Sequence, residues 1–314
     1  MNQNKPYFSI CIPGFKRKEY LRKTLQSIYS EKNLNSVNLN EFEVIISDND
    51  SEAELKTLCD EFNYNNLHYH KTYCEGFMNS YYALSYGNGM FLKLHNSQEL
   101  FNQDSLKILI DTVKNNTKEK PLLFFTSGLL EKGNIFVEDN FENFINSTSY
   151  LSSWSNAFGI WKEDFDIVKD NVKLNKLFPH TSLLFTQYYK KKYIVNDQVL
   201  FTTQFVKKRG GHNKFRAFTI EYPSILDEAV SNKNISKKTF NKIINELMYG
   251  FLPLLFFNVK IIQRETFSSE GFKENIKKYF PKNALYIVII LSLFIPFKIV
   301  WRKIKIKHFL SKNS

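Results

Sequence analysis

The sequence predicts an α/β chain: a mostly parallel sheet with helices on both faces, then a helical C-terminal region. Two observations carry this. Short apolar runs of strand length alternate with segments whose apolar residues recur at helical spacing, and the loops between them are short. From about residue 236 the pattern turns helical and increasingly apolar, ending in residues 284–297, which carry no charge. A hydrophobic fraction of 43% in 314 residues suffices for a large core and excludes a disordered or collagen-like chain.

The elements follow in order. Residues 8–12 are an apolar run stopped by Pro13-Gly14, a buried strand and its turn. Tyr20, Leu21, Leu25, Ile28 and Tyr29 then fall at helical spacing. Residues 42–47 form the second strand, which ends in Asp48-Asn49-Asp50-Ser51. Ser51 with Glu54 reads as a capping box for a helix carrying Leu55, Leu58 and Phe62. A third strand (67–70), a helix (78–86), a fourth strand (90–94), a helix (104–114) and a strand (122–126) complete the first half. A strand-like run also spans residues 193–201. Such order argues for parallel strands, with the ligand at their carboxyl ends. The expected organisation is one α/β domain over residues 1–230, in two halves (1–126 and 127–230), and a helical region over 231–314.

Charge and cysteines exclude several classes. The net charge of +12 concentrates in Lys298, Arg302, Lys303, Lys305, Lys307 and Lys312, and no acid follows Glu274. A basic run beside an apolar helix points to anionic lipid rather than nucleic acid. Residues 284–297 are short for a span and contain Pro296, so a helix lying in the membrane interface is expected, with a core helix as the alternative. Cys11, Cys59 and Cys74 form no CxxC pair, which excludes a disulfide scaffold and a thiolate zinc site and fits a reducing cytosolic setting. The polar first residues predict no signal peptide. Gly14-Phe-Lys-Arg-Lys lacks the second glycine and Lys-Ser/Thr of a P-loop, and Gly87-Asn-Gly89 precedes a strand, so neither supports an ATPase or dinucleotide enzyme.

Four strand-end motifs in order carry a resemblance. Ser9-Ile-Cys-Ile-Pro-Gly-Phe-Lys-Arg17 with Leu25-Gln-Ser-Ile28, then Val44-Ile-Ile-Ser-Asp48-Asn-Asp-Ser51, then Glu75-Gly76 and Asn79, then Ala83-Leu84 and Gly89-Met-Phe91, resemble the inverting family 2 glycosyltransferases of bacterial surface-polysaccharide synthesis over roughly residues 7–210. The resemblance implies a GT-A (Rossmann-like) fold and transfer of a sugar from a nucleotide-sugar to a glycan acceptor with inversion. A lipid-linked oligosaccharide at the cytoplasmic face of a membrane is the implied acceptor. It places Asp48 against the base, with Asp50 beside it, and Pro13, Phe15 and Arg17 shaping the pocket. Gly76, Asn79, Lys93, Asn96 and Gln98 are the further nucleotide-sugar positions, and Lys93, His95 and Arg17 would face the diphosphate. Asp48 and Asp50 as caps of the following helix are the other reading.

The sequence departs from the family at the fourth strand. Where the family places an acidic D-x-D-D that holds Mg²⁺ or Mn²⁺, this chain has Asn96, Ser97, Gln98 and Glu99, so Glu99 alone keeps a charge and weak metal binding is expected. For the base that takes the acceptor proton, the family position falls on Pro179-His180. His180 is the first candidate and Asp197 the second, with structural roles open for both. His68 and His70 read as structural, and Trp154 and Trp161 as mostly core. A sugar-binding protein that kept the fold and lost catalysis is the alternative function.

Overall fold

The computed structural model describes residues 5–297. The chain divides into two compact units, the first ending at Phe205 and the second beginning at Val206. The boundary expected after residue 230 thus falls inside the helix Tyr222–Ser231.

The first unit is built on a five-stranded sheet in the order β3-β2-β1-β4-β8. Its strands are β1 (Phe8–Gly14), β2 (Phe42–Asp48), β3 (Leu67–Lys71), β4 (Phe91–Leu94) and β8 (Gly159–Trp161). The first four run parallel, and β8 closes the edge antiparallel to β4, so the sheet is mixed. β1 shows why these residues choose a sheet covered on both faces. Phe8, Ile10 and Ile12 point to one side, into a core completed by Leu21, Leu25, Leu55, Leu58, Leu106 and Leu109 of the helices Lys18–Ile28, Glu54–Phe62 and Ser105–Asn116. Ser9 and Cys11 point to the other side, where the helix Asn79–Ser85 packs.

Two smaller sheets have their own strand pairing and add Phe101, Leu123, Phe125 and Phe201 to the same core. β6 (Leu122–Phe125), β7 (Ile135–Glu138) and β9 (Tyr193–Asn196) form a three-stranded sheet in the order β6-β9-β7. β5 (Glu99–Phe101) and β10 (Phe201–Thr203) pair antiparallel. The strand expected over residues 193–201 is therefore two strands. Asp197 breaks it, because its carboxylate turns inward to gather the 126–133 loop. It accepts bonds from the Thr126 hydroxyl (2.6 Å) and from the amides of Leu130 (3.1 Å), Lys132 (2.7 Å) and Gly133 (3.1 Å).

The expected capping box is also absent. The Asp48 carboxylate accepts the amide of Asp50 at 3.0 Å, and the Ala53 amide bonds the Asp50 carbonyl. That tight turn leaves left-handed Ala53 (φ 52°) at the helix start, with no side-chain cap. Ser51 is held in the turn, two residues too early.

A polar clamp unseen in the sequence ties β1, β2 and the approach to β4. Buried Glu43 accepts from the Ser9 hydroxyl (2.6 Å) and from the amides of Asn88 (2.5 Å) and Gly89 (3.0 Å). Position 89 must be glycine, because a Cβ there would lie 2.8 Å from the Ser9 backbone nitrogen. Trp161 is core, as expected, and its indole donates to the Pro121 carbonyl at 2.7 Å, while Trp154 is half-buried.

The second unit is helical, with Tyr222–Ser231, Lys237–Glu246, Leu252–Phe256 and Ala284–Leu293 as its α-helices of five residues or more. No helix among the described residues is long and apolar enough to cross a membrane. The basic run from Lys298 to Lys312 lies outside the described residues.

Candidate active site

The parallel register brings the ends of β1, β2 and β3 level: Gly14 pairs with Asp48, and Asp48 with Lys71. Ligands in such sheets bind at this edge. Asp48 is buried there and uses both oxygens, Oδ1 for the Asp50 amide and Oδ2 for the Tyr69 hydroxyl at 3.0 Å. Tyr69 titrates high in consequence, first through burial and then through this bond. Lys71 presents a buried ammonium with no hydrogen-bond partner, 5.2 Å from the centre of the exposed Tyr73 ring. Neither Tyr69 nor Lys71 was singled out in the sequence. Lys71, the last residue of β3, carries the strand-end signal, whereas Tyr69 lies two residues inside the strand and carries none.

The β1 turn supplies the opposite wall. Phe15 is 58% exposed, and Lys16 and Arg17 both hold left-handed backbone (φ 54° and 59°) that turns their exposed side chains out of the sheet. Pro13 is half-buried beside them. Arg17 donates to Gln98 Oε1 at 3.1 Å, which joins the β1 turn to the β4 end.

Asn79 is a buried clamp. Its Nδ2 donates to the carbonyls of Gly14 (3.0 Å) and Ser47 (2.9 Å), and its Oδ1 accepts from the Ser47 hydroxyl at 2.6 Å. It fixes the strand ends and has no polar atom turned toward a ligand. Gly76 (φ 46°) opens the short 3₁₀ turn Gly76–Met78 in exposed backbone.

Two cations expected to face a diphosphate lie in the interior instead. Lys93 is fully buried, donates to the carbonyls of Leu94 (2.9 Å) and Asn156 (2.7 Å), and sits 4.6 Å from the Phe201 ring centre. Burial pushes its ammonium down to about 7. His95 is also fully buried, donates Nε2–H to the Glu99 carbonyl at 2.7 Å, and is held neutral by burial and by Lys93. Lys93 packs on the rings of Phe125 and Phe201, and His95, just after β4, packs on Phe201, so both belong to the core rather than to the open strand ends.

The two base candidates are likewise internal. His180 lies on the helix Pro179–Phe185, is 5% exposed and donates Nε2–H to the Ser153 carbonyl at 2.9 Å. Its Nδ1 is buried without a partner, and burial depresses the imidazole to about 4. Burial raises the Asp197 carboxyl, but the Thr126 hydroxyl and the three loop amides outweigh this and hold it below its usual range. In this structure His180 and Asp197 are both buried and bonded to internal partners, and neither opens a lone pair to solvent. His70 stacks on Tyr86 at 4.1 Å and His68 lies 3.7 Å from Glu43, the structural roles expected of them.

The profile described as "Glycosyl transferase family 2" matches residues 9–148, the stretch that carries β1 to β4 and their ends. Residues 9–148 form a family 2 glycosyltransferase domain. No curated protein sequence matches the chain. Among solved structures, S. aureus TarS 1–349 is similar at a TM-score of 0.55 and 15% identity, over 90% of this chain and 83% of that one. TarS 1–349 in complex with UDP-GlcNAc gives 0.55 and 14%, over 90% and 84%. The mannosyltransferase PcManGT from Pyrobaculum calidifontis, in complex with GDP-Man and Mn²⁺, gives 0.51 and 12%, over 92% and 88%. At these identities the likeness speaks for the fold, which is GT-A-like.

The divalent ion that this glycosyltransferase family implies does not fit the end of β4. Asn96 Oδ1 accepts from the Ser155 hydroxyl (3.0 Å), Gln98 Oε1 from Arg17, and Glu99 from the Thr203 hydroxyl (2.7 Å). Two neutral amides and one committed carboxylate are a poor donor set for a hard cation. Carboxylates do gather elsewhere in the glycosyltransferase domain: those of Asp50, Glu52 and Glu54 lie within 4.8 Å of one another, and Asp50 Oδ2 is buried with no hydrogen-bond partner. A cavity of about 250 Å³ lined by Lys5, Met90, Lys120, Trp161, Lys162 and Glu163 sits at the opposite ends of β1 and β4, away from these groups.

Proposed function

We propose that the chain transfers a sugar from a nucleotide-sugar donor to a glycan acceptor, with inversion at the anomeric carbon. The acceptor is a lipid-linked oligosaccharide of a bacterial surface polysaccharide, met at the cytoplasmic face of a membrane. The observation that carries the donor side is the strand-end cluster of the family 2 domain, where Asp48 and Tyr69 stand beside an ammonium, Lys71, that has no hydrogen-bond partner. A carboxylate and a hydroxyl match the imide edge of a pyrimidine or purine base and the ribose hydroxyls, while a free N–H donor seeks a carbonyl or phosphoryl oxygen. Phe15 supplies an exposed apolar wall, and Arg17 a cation at the same edge for the diphosphate. Proteins of this fold carry UDP-GlcNAc and GDP-Man in their structures, which supports a nucleoside-diphosphate sugar here.

The test is calorimetric binding of UDP and GDP together with turnover of a panel of their sugars, lipid-linked glycan present. Binding with nucleotide release supports the proposal, and no binding of any nucleotide refutes it. A second reading, a sugar-nucleotide binder that lost catalysis, is favoured by the neutral β4 end and by the burial of His180 and Asp197. Tight donor binding without turnover on any acceptor would select it.

A further inference from the structure

The helix Ala284–Leu293 is apolar on every side, yet only one side is covered. Ala284, Val288, Ser292 and Ile295 are buried against the helical segments Leu247–Phe251 and Leu252–Phe256 of the same unit. The opposite side presents Tyr286 (68% exposed), Ile290 (54%), Leu293 (58%), Phe294 (53%) and Phe297 (70%). Those positions step by four, three, one and three, so they form one stripe along the helix and its continuation. Stripes of large apolar side chains at this exposure mark a surface with a partner.

The charge around the stripe says which partner. Lys277, Lys278 and Lys282 are exposed immediately before the helix, and the sequence beyond Phe297 adds Lys298, Arg302, Lys303, Lys305, Lys307 and Lys312 without one acid. An apolar stripe flanked on both sides by cations is the pattern of a helix lying in an anionic interface, its rings among acyl chains and its lysines at headgroups. A protein groove would take the apolar stripe without needing lysines at both ends.

We infer that the 286–297 face is a docking surface for an anionic lipid bilayer, with the helix lying along the membrane. This deepens the membrane reading of the proposed function by naming the face, and it holds whatever the donor sugar is. Five bulky side chains enter the interface, and each basic residue near it strengthens attachment about fivefold at low salt.

The experiment is sedimentation of the full chain with vesicles of phosphatidylcholine and phosphatidylglycerol, and with phosphatidylcholine alone. The expected result is binding to the anionic vesicles, much weaker binding to the neutral ones, and loss on raising salt. A triple variant, Ile290→Ser with Leu293→Ser and Phe294→Ser, changes only exposed positions and should bind about a hundredfold or more weakly. Its thermal melting and its nucleotide affinity should match the wild type, which separates loss of docking from loss of fold or of the donor site. Equal sedimentation of the variant and the wild type overturns the inference. So does wild-type chain that ignores anionic vesicles but forms a dimer that the triple variant abolishes, since the face would then be a protein interface. Failure of nucleotide binding in the wild type would refute the donor reading and leave this face untouched.

Discussion

Single side chains separate the donor edge from the interior. Asp48 and Lys71 are register partners on adjacent strands, the carboxylate accepting two hydrogen bonds and the lysine Nζ making none. Replacing Asp48 with Ala removes the acceptor and leaves the Tyr69 hydroxyl and the Asp50 amide unpaired. Nucleotide affinity measured by calorimetry should fall about tenfold to a hundredfold, the loss of one charged hydrogen bond. Lys71→Met should weaken binding by a similar factor with little change in melting temperature, because no hydrogen bond is lost and the Tyr73 ring beneath the ammonium is exposed. His180 gives the opposite expectation. His180→Gln keeps an N–H donor for the Ser153 carbonyl, so turnover should stay near wild type, whereas a general base would lose about 10²–10⁴-fold. The variant should also change acid stability. The native ring titrates near 4 against about 6.5 in the unfolded chain, so the native state binds fewer protons across that window. Stability then falls as the pH drops from about 6.5 toward 4, by roughly 3 kcal/mol for this residue. Denaturation curves at several pH values should show a shallower acid slope in His180→Gln.

At the scale of elements, what was legible followed from periodicity. β1 to β4 and their helices lie close to where alternation and helical spacing put them, because each buries one face against its neighbours. What was not legible depends on long-range polar bonds. Gly89 is required by Ser9 and Glu43, and the break after β9 by the loop that Asp197 gathers, and neither partner is near in sequence. The site shows the same division. Strand-end positions were readable, but whether Lys93 or His180 faces solvent depends on which side of an element packs inward, which spacing at an irregular segment does not reveal. The Asp197 clamp can be tested directly. Asp197→Ala leaves three amides and a hydroxyl without their acceptor, and the unfolding free energy should drop by about 3–5 kcal/mol. Because the native carboxyl is held low, that contribution is present above its ordinary value of 3.8 and fades as the pH falls through the depressed native one. Wild type and variant should therefore converge in stability in strong acid.

For the whole molecule the open chemical question is how a diphosphate leaving group is neutralised, and the donor sets decide what to expect. The end of β4 has amides where a hard cation needs carboxylates, and Glu99 is already engaged by Thr203. Arg17 is the exposed cation joined to that end, through Gln98, and an arginine can take phosphoryl oxygens in place of a metal. Turnover of the preferred donor should therefore survive EDTA and respond weakly to added Mn²⁺, while Arg17→Ala should depress it about tenfold to a hundredfold with the fold intact. The measurement is nucleotide release with and without chelator, for the wild type and for Arg17→Ala. If EDTA abolishes release and Mn²⁺ restores it, a metal ion bound away from the β4 end supplies the charge. The ion would then sit on the turn after β2, where Asp50, Glu52 and Glu54 converge and one oxygen of Asp50 is buried with no hydrogen-bond partner. Asp50→Asn would settle that second case by raising the Mn²⁺ concentration needed for half-maximal release, a shift that Glu99→Gln would not produce.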